Sequence, residues 1–159
     1  MSADSVEIER KFLVQDLPDL SDAQCAVIRQ GYLTVASDSV EMRLLDKNGT
    51  CFLTLKSDGG VARVERETAL SQDQFDTFWP QTIGRRVEKR RWSGALPDGL
   101  TFELDLFDGD LEGLRLVEVE FPSESAAEAF APPSWFGADV TQDKRFKNKA
   151  LAMDGVPVG

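Results

Sequence analysis

Carboxylates and cations recur at two-residue spacing along this chain. The first cluster is Glu7, Glu9 and Lys11; later come Arg63, Glu65 and Glu67, then Lys89 and Arg91, Glu103 and Asp105, and Glu118 and Glu120, with Arg43 and Lys56 as single contributions. In an extended chain, residues two apart share one face about 6.6–6.8 Å from each other. Each cluster is therefore a short row of charge on one side of a strand. Rows of acid suit hard divalent cations, which take oxygen ligands. Rows of arginine and lysine suit the oxygens of a polyanion. One face carrying both would suit a complex of a metal ion with a polyphosphate. A solvated strand face is the ordinary explanation for any one row. Solvent faces usually mix serine, threonine, asparagine and glutamine with lysine, however, whereas these rows are almost purely charged and their signs come in blocks.

Composition narrows the chemistry. The chain of 159 residues has no histidine, which removes Ser-His-Asp and Cys-His catalysis and histidine-ligated zinc. Its two cysteines, Cys25 and Cys51, form no CxxC pair, so neither a zinc site nor a disulfide framework is expected, and a reducing cytoplasm is the expected compartment. The formal net charge is −10, which argues against nucleic acid as a partner. No apolar run approaches the ~18 residues of a membrane helix, and the opening MSADSVEIER is too acidic and polar for a signal peptide. The basic residues concentrate in RRVEKRR (85–91) and KRFKNK (144–149), on either side of an acidic stretch, 98–128, whose one base is Arg115.

The elements that must position these rows read mainly as strands. Period-two patterns cover 6–14, 26–36, 39–46, 50–57, 61–70, 84–92, 100–107 and 114–121. Turn signals separate several of them, at Lys47-Asn48-Gly49, Ser57-Asp58-Gly59-Gly60 and Pro97-Asp98-Gly99, which implies antiparallel hairpins. Short helices are expected after Ser71 as cap, from Ser123 to Phe130 ahead of Pro132-Pro133, and from Asp143 to Met153. Residues 15–25 fit neither pattern clearly. Residues 1–159 read as one domain, with no repeat or long linker. The fold class is mostly β (α+β): an eight-stranded antiparallel sheet, closed into a barrel or tunnel with a wet, charged interior, and a few covering helices. Trp79, Trp92 and Trp135 are expected to anchor those helices on the outer face.

The ordered motifs resemble a known family. Glu7-Ile8-Glu9-Arg10-Lys11-Phe12 matches the ExExK signature of the CYTH domain, or triphosphate tunnel metalloenzymes. The likeness continues through Gln30-Gly31-Tyr32-Leu33, Arg43, Leu53-Thr54-Leu55-Lys56, Arg63 to Glu67, Lys89-Arg90-Arg91, Glu103-Leu104-Asp105, Glu118-Val119-Glu120-Phe121 and Val140 to Asn148. It spans residues 5–153 and is strongest to the short bacterial inorganic triphosphatases. The resemblance implies an eight-stranded tunnel and metal-dependent hydrolysis of inorganic tripolyphosphate. It implies that Glu7, Glu9, Glu118 and Glu120 bind Mg²⁺ or Mn²⁺, with Glu65, Glu67, Glu103 and Asp105 as further acidic ligands or partners of the bases. Arg43, Lys56, Arg63, Lys89, Arg91 and Arg145 would clamp the triphosphate, and Lys11 with Tyr32 would orient or activate water. A homodimer is allowed for, and no partner protein is implied.

Two other classes of function compete. Class IV adenylate cyclase and thiamine or nucleoside triphosphatase would use the same fold, but no nucleobase-reading element stands out. A non-catalytic polyphosphate-binding module would not need so many carboxylates. Glu41 places an acid two residues before Arg43 on the same wall. It reads either as a neutraliser of a neighbouring base or as a residue that weakens phosphate binding. Arg10, Arg66 and Arg90 have the opposite parity and are expected on the outer surface.

Overall fold

The structure, a computed structural model, describes residues 7–57 and 64–158. Its strands are β1 (Ile8–Val14), β2 (Gln24–Tyr32), β3 (Val40–Lys47), β4 (Thr50–Ser57), β5 (Glu65–Leu70), β6 (Arg86–Ala95), β7 (Thr101–Asp108), β8 (Arg115–Phe121) and β9 (Phe136–Asp139). They form one nine-stranded sheet in the order β5-β4-β3-β2-β6-β7-β8-β1-β9, and every neighbouring pair is antiparallel. This is the mostly β antiparallel architecture expected. Among the described residues the ladder has two ends, β5 and β9. The Asn48-Gly49 turn joins β3 to β4 with both residues at positive φ, 51° and 87°, as a tight primed hairpin requires. Ser57-Asp58-Gly59-Gly60 and Arg63 fall at or beyond the edge of the described residues.

The period of two separates two faces. On the outer face, Phe12, Phe102, Leu104, Val117, Val119 and Phe121 are buried in one apolar cluster with Phe136 and Ala127. Helix α2 (Glu124–Ala129), capped by Ser123, lies over it, and Trp92 and Trp135 pack against it. A second outer cluster joins Leu44 and Cys51 to Phe75 of helix α1 (Gln72–Phe78), with Trp79 alongside. Ser71 caps α1 in a capping box with Gln74. Arg10 is confirmed on the outer side: it pairs with Asp139 of β9 at 3.0 Å and lies over Phe12 and Phe130.

The other face holds the charges and a third cluster. Tyr32, Val87, Phe107 and Leu116 meet Phe146, Leu151 and Ala152, with Leu13 packed against them. These side chains come from β2, β6, β7, β8 and β1, five neighbours in the sheet order. Laid flat, five strands would span about 19 Å between the outer two, whereas one helix is only 10–12 Å across. The sheet therefore curls around the C-terminal segment. That segment is not the continuous helix expected from Asp143 to Met153. It is a single 3₁₀ turn, Lys144–Phe146, followed by α3 (Asn148–Asp154), because Lys147 is extended at φ −72°, ψ 146°. The ninth strand, β9, was not anticipated from sequence.

Phe75 is fully buried between β3, β4 and Trp79, with Arg29 over its ring at 4.8 Å. Phe75→Ala should cost about 3–5 kcal/mol. At roughly 2–4 °C per kcal/mol for a chain of this size, thermal melting should show a fall of about 10 °C.

Candidate active site

Antiparallel pairing brings the charged residues together. Residues directly opposite one another in a ladder share a face, so the register can be read across the sheet. Glu9 faces Glu120, and Lys11 faces Glu118, which in turn faces Glu103. Asp105 faces Arg91. Tyr32 faces Arg43, which faces Thr54 and then Glu67; Glu41 faces Lys56, which faces Glu65. Lys89 has the parity of Arg91 and faces Ile28, on the same side as Tyr32. One face thus carries Glu9, Lys11, Tyr32, Arg43, Lys56, Glu65, Glu67, Lys89, Arg91, Glu103, Asp105, Glu118 and Glu120. Glu7 is exposed just ahead of β1. Arg63 lies outside the described residues. Arg145 stands apart: its side chain is half exposed, and its guanidinium is taken by Asp143 of the same turn at 2.7 Å.

The basic wall is organised by one acid. Arg91 donates through Nε to Asp105 Oδ1 at 2.8 Å and through Nη2 to Oδ2 at 3.0 Å, while Nη1 donates to Glu103 at 3.3 Å. Lys89 Nζ adds a 2.8 Å bond to Asp105 Oδ2, and the two side chains are only 2% and 4% exposed. Burial alone would raise the Asp105 carboxyl, but the Arg91 hydrogen bonds and the Lys89 charge outweigh it and hold it below its usual range. Burial likewise pulls Lys89 down, against the attraction of Asp105. For Arg91, burial opposes the charge, yet its bonds to Asp105 leave its pKa raised. Both oxygens of Asp105 are engaged, so in this structure it is a partner of bases rather than an open metal ligand. Glu67 accepts from Thr54 at 2.9 Å, and Glu65 lies 3.9 Å from Lys56.

The acidic wall is different. Glu9 is pushed up to about 7, first by burial and then by the neighbouring Glu118 carboxylate, with Lys11 opposing. Lys11 sits between the two zones, 3.4 Å from Glu118 and donating to the Phe146 carbonyl at 2.9 Å. Tyr32 is buried, and its pKa is raised for that reason; its hydroxyl accepts from Gln30 Nε2 at 3.1 Å. Arg43 Nε is buried and lacks a partner among the described residues. A buried donor left unmatched fits a site built for an anion.

Several contributors were not singled out from sequence. Gln30 shares the parity of Tyr32, which was the available clue. Asn148 accepts from Lys89 at 3.4 Å, and Lys149 pairs with Glu41 at 3.0 Å. Both sit on a short helix whose facing depends on how the C-terminal segment docks, so spacing held no signal for them.

Comparison with known proteins gives the family and the fold. The inorganic triphosphatase of Nitrosomonas europaea is 58% identical over 147 residues, covering 92% of this chain and 97% of that protein. The chain belongs to the inorganic triphosphatase family. The inorganic triphosphatase of Acetivibrio thermocellus is 35% identical over 151 residues, covering 93% and 94% of the two chains. A crystal structure of the inorganic triphosphatase NE1496 superimposes with a TM-score of 0.88 at 53% identity, covering 99% of this chain and all of that one. No family model matches the chain. Among the described residues no helix is long and apolar enough to cross a membrane.

The donor set of this inorganic triphosphatase fits a hard cation. Among the described residues no three acidic side chains converge on one point. Mg²⁺, however, is commonly held by one or two carboxylates, with substrate phosphates completing its shell. The Glu118 carboxylate raises the Glu9 carboxyl, because the two repel when both are ionised. A proton or a cation between them relieves that repulsion.

Two outcomes follow for this family member. Asp105→Asn leaves Lys89 buried without its charge partner, a loss of about 3–5 kcal/mol. Melting should fall by about 10 °C, and a fall under ~2 °C would mean that Lys89 finds another anion. The Glu9 carboxyl titrates near 7 when folded, against 4.5 when free. The folded state then holds more protons between those values, so metal-free stability should decline as pH rises from about 4.5 to 7. Glu9→Gln should remove this decline, melting above wild type at pH 8 in chelator and level with it at pH 4.5.

Proposed function

We propose that this chain hydrolyses inorganic tripolyphosphate to pyrophosphate and phosphate, with Mg²⁺ or Mn²⁺ as cofactor, in the cytoplasm. The observation that carries the reading is the segregation of charge on one face of a single curled sheet. Glu9, Glu118 and Glu120 form an acidic zone, and Lys89, Arg91, Arg43 and Lys56 form a basic one. The 58% identity to the inorganic triphosphatase of Nitrosomonas europaea supports it.

The substrate carries about four negative charges, which repel any nucleophile approaching phosphorus. Arg91, Lys89, Arg43 and Lys56 bind its non-bridging oxygens; Arg63 is a further contact implied by the family resemblance alone, and Arg145 would have to leave Asp143 to join them. Arg91 is presented as a fixed fork because Asp105 holds its Nε edge. Arg43 offers the unmatched Nε. Glu7, Glu9, Glu118 and Glu120 hold the cation, with Glu65, Glu67 and Glu103 as acids that balance the bases. A bound divalent cation supplies charge withdrawal from the phosphates and a more acidic water. Lys11, anchored by Glu118 and the Phe146 carbonyl, orients the attacking water beside the acidic zone. Tyr32 keeps its proton, since burial raises its pKa, and with Gln30 donating to its oxygen the hydroxyl hydrogen is free for a phosphate oxygen. Water forms the new P–O bond and gives up its proton to solvent, the phosphoanhydride bond breaks, and pyrophosphate leaves. Both cysteines are free, in keeping with a reducing compartment.

Purified protein should release phosphate and pyrophosphate from tripolyphosphate in Mg²⁺ or Mn²⁺, and lose that activity in excess chelator. Glu118→Gln should lower turnover at least tenfold, and Arg91→Ala should raise KM at least tenfold, since each removes a charge-assisted contact worth about 1.5–3 kcal/mol. No phosphate from tripolyphosphate with either metal, or cyclic AMP as the main product from ATP, would overturn the assignment.

A further inference from the structure

Glu41 points into the charged face but does not neutralise the arginine beside it. Its Oε1 is bound by Lys149 of α3 at 3.0 Å, while Arg43, two residues along the same wall, keeps a buried Nε without a partner among the described residues. Directly across the ladder from Glu41 stands Lys56. Glu41 and its neighbours Lys56, Glu65 and Lys149 line a cleft of about 380 Å³ at this end of the basic zone. Glu41 is thus a carboxylate with Lys149 on one side and Lys56 opposite, in the place where an anionic oxygen of a substrate bound at Arg43 would next be met.

The pair is built to exchange. The Lys149 side chain is 48% exposed and that of Glu41 19%, so the contact is half in water and contributes little to stability. A lysine is a flexible point charge with three donors, and it can turn from one oxygen to another without moving its helix. A terminal phosphate carries more charge than one carboxylate, and at equal distance attracts the ammonium more strongly.

Resting on the triphosphatase reading above, we propose that Lys149 is a further phosphate-binding residue, and that Glu41 is its resting counter-ion, released when the terminal phosphate of tripolyphosphate enters the cleft. Binding in the wild type therefore breaks one ion pair to make a stronger contact. Glu41 lowers affinity and favours substrates charged enough to displace it over monoanionic esters.

The test is a double-mutant cycle on binding, using imidotriphosphate with Mg²⁺ in titration calorimetry, beside tripolyphosphate kinetics. Glu41→Gln should tighten Kd by about three- to fivefold, the range of an exposed ion pair. Lys149→Met should weaken it only about two- to threefold in the wild type, because the lost phosphate contact is offset by the pair that no longer has to break. In the Glu41→Gln background the same change should cost about tenfold, the full charge-assisted contact. Lys149→Arg should bind like wild type, and melting curves check that each variant is folded. If Lys149→Met costs the same in both backgrounds, or Glu41→Gln fails to tighten binding, the pair is only a tie between α3 and β3, and the proposal is overturned while the activity reading stands. A wild type that neither binds the analogue nor cleaves tripolyphosphate overturns both.

Discussion

The charged face holds together because one buried carboxylate serves two cations. Arg91 and Lys89 are like charges two residues apart, and both are largely out of water. Alone they would repel each other and lose hydration, and the strand carrying them could not lie in a closed groove. Asp105, on the adjacent strand directly across from Arg91, accepts from both. Once that triad is in place, the outer edge of Arg91 faces Glu103, and the tail of Lys89 reaches Asn148 at the start of α3. The shape of the basic wall traces to that one residue, which also sets the Lys89 end that meets Asn148, while Phe146, Leu151 and Ala152 dock the C-terminal segment.

The two zones solve opposite problems. In the basic zone compensation is internal, as acids on neighbouring strands meet the bases. In the acidic zone Lys11 is the cation beside Glu9, while Glu118 also feels Lys89 and Arg91 from the basic wall, and Glu9 retains a proton to an unusually high pH. The protein is preorganised toward the anion through fixed forks, whereas its acidic zone has charge to spare for a cation. That asymmetry fits the proposed metal–polyphosphate substrate, whose cation would bring to the acidic zone the charge it lacks.

Much of this was legible in the sequence, for a definite physical reason. A strand's side chains alternate strictly, so Glu7-Glu9-Lys11 or Glu118-Glu120 could be assigned a common face without knowing the topology. Antiparallel pairing then had to join those faces. The strands, the helix cap at Ser71, the short helix after Ser123 and the outward Arg10 all followed from local rules. What local rules do not carry is docking. Phe136–Asp139 is four residues long with a glycine, too short for a periodic signal, and is a strand only because β1 offers an edge. The break at Lys147 arises where Lys11 takes the Phe146 carbonyl and the segment drops into the groove. Arg145 has motif company in sequence, yet Asp143, two residues earlier, claims its guanidinium. The partner of Glu41 lies over a hundred residues away, and nothing in its neighbourhood names Lys149.

The position of β1 has a consequence for how the chain is made. The first strand pairs with β8 and β9, and Lys11 bonds to Phe146 across 135 residues of sequence. On the ribosome, β1 must wait with both edges open until nearly the whole chain has emerged. The β2–β5 hairpins, by contrast, can form as they appear. Contacts of such long sequence separation slow folding and lengthen the exposure of unpaired edges. The charges alternating along β1 then have a second use, as gatekeepers that discourage a waiting strand from joining another nascent chain.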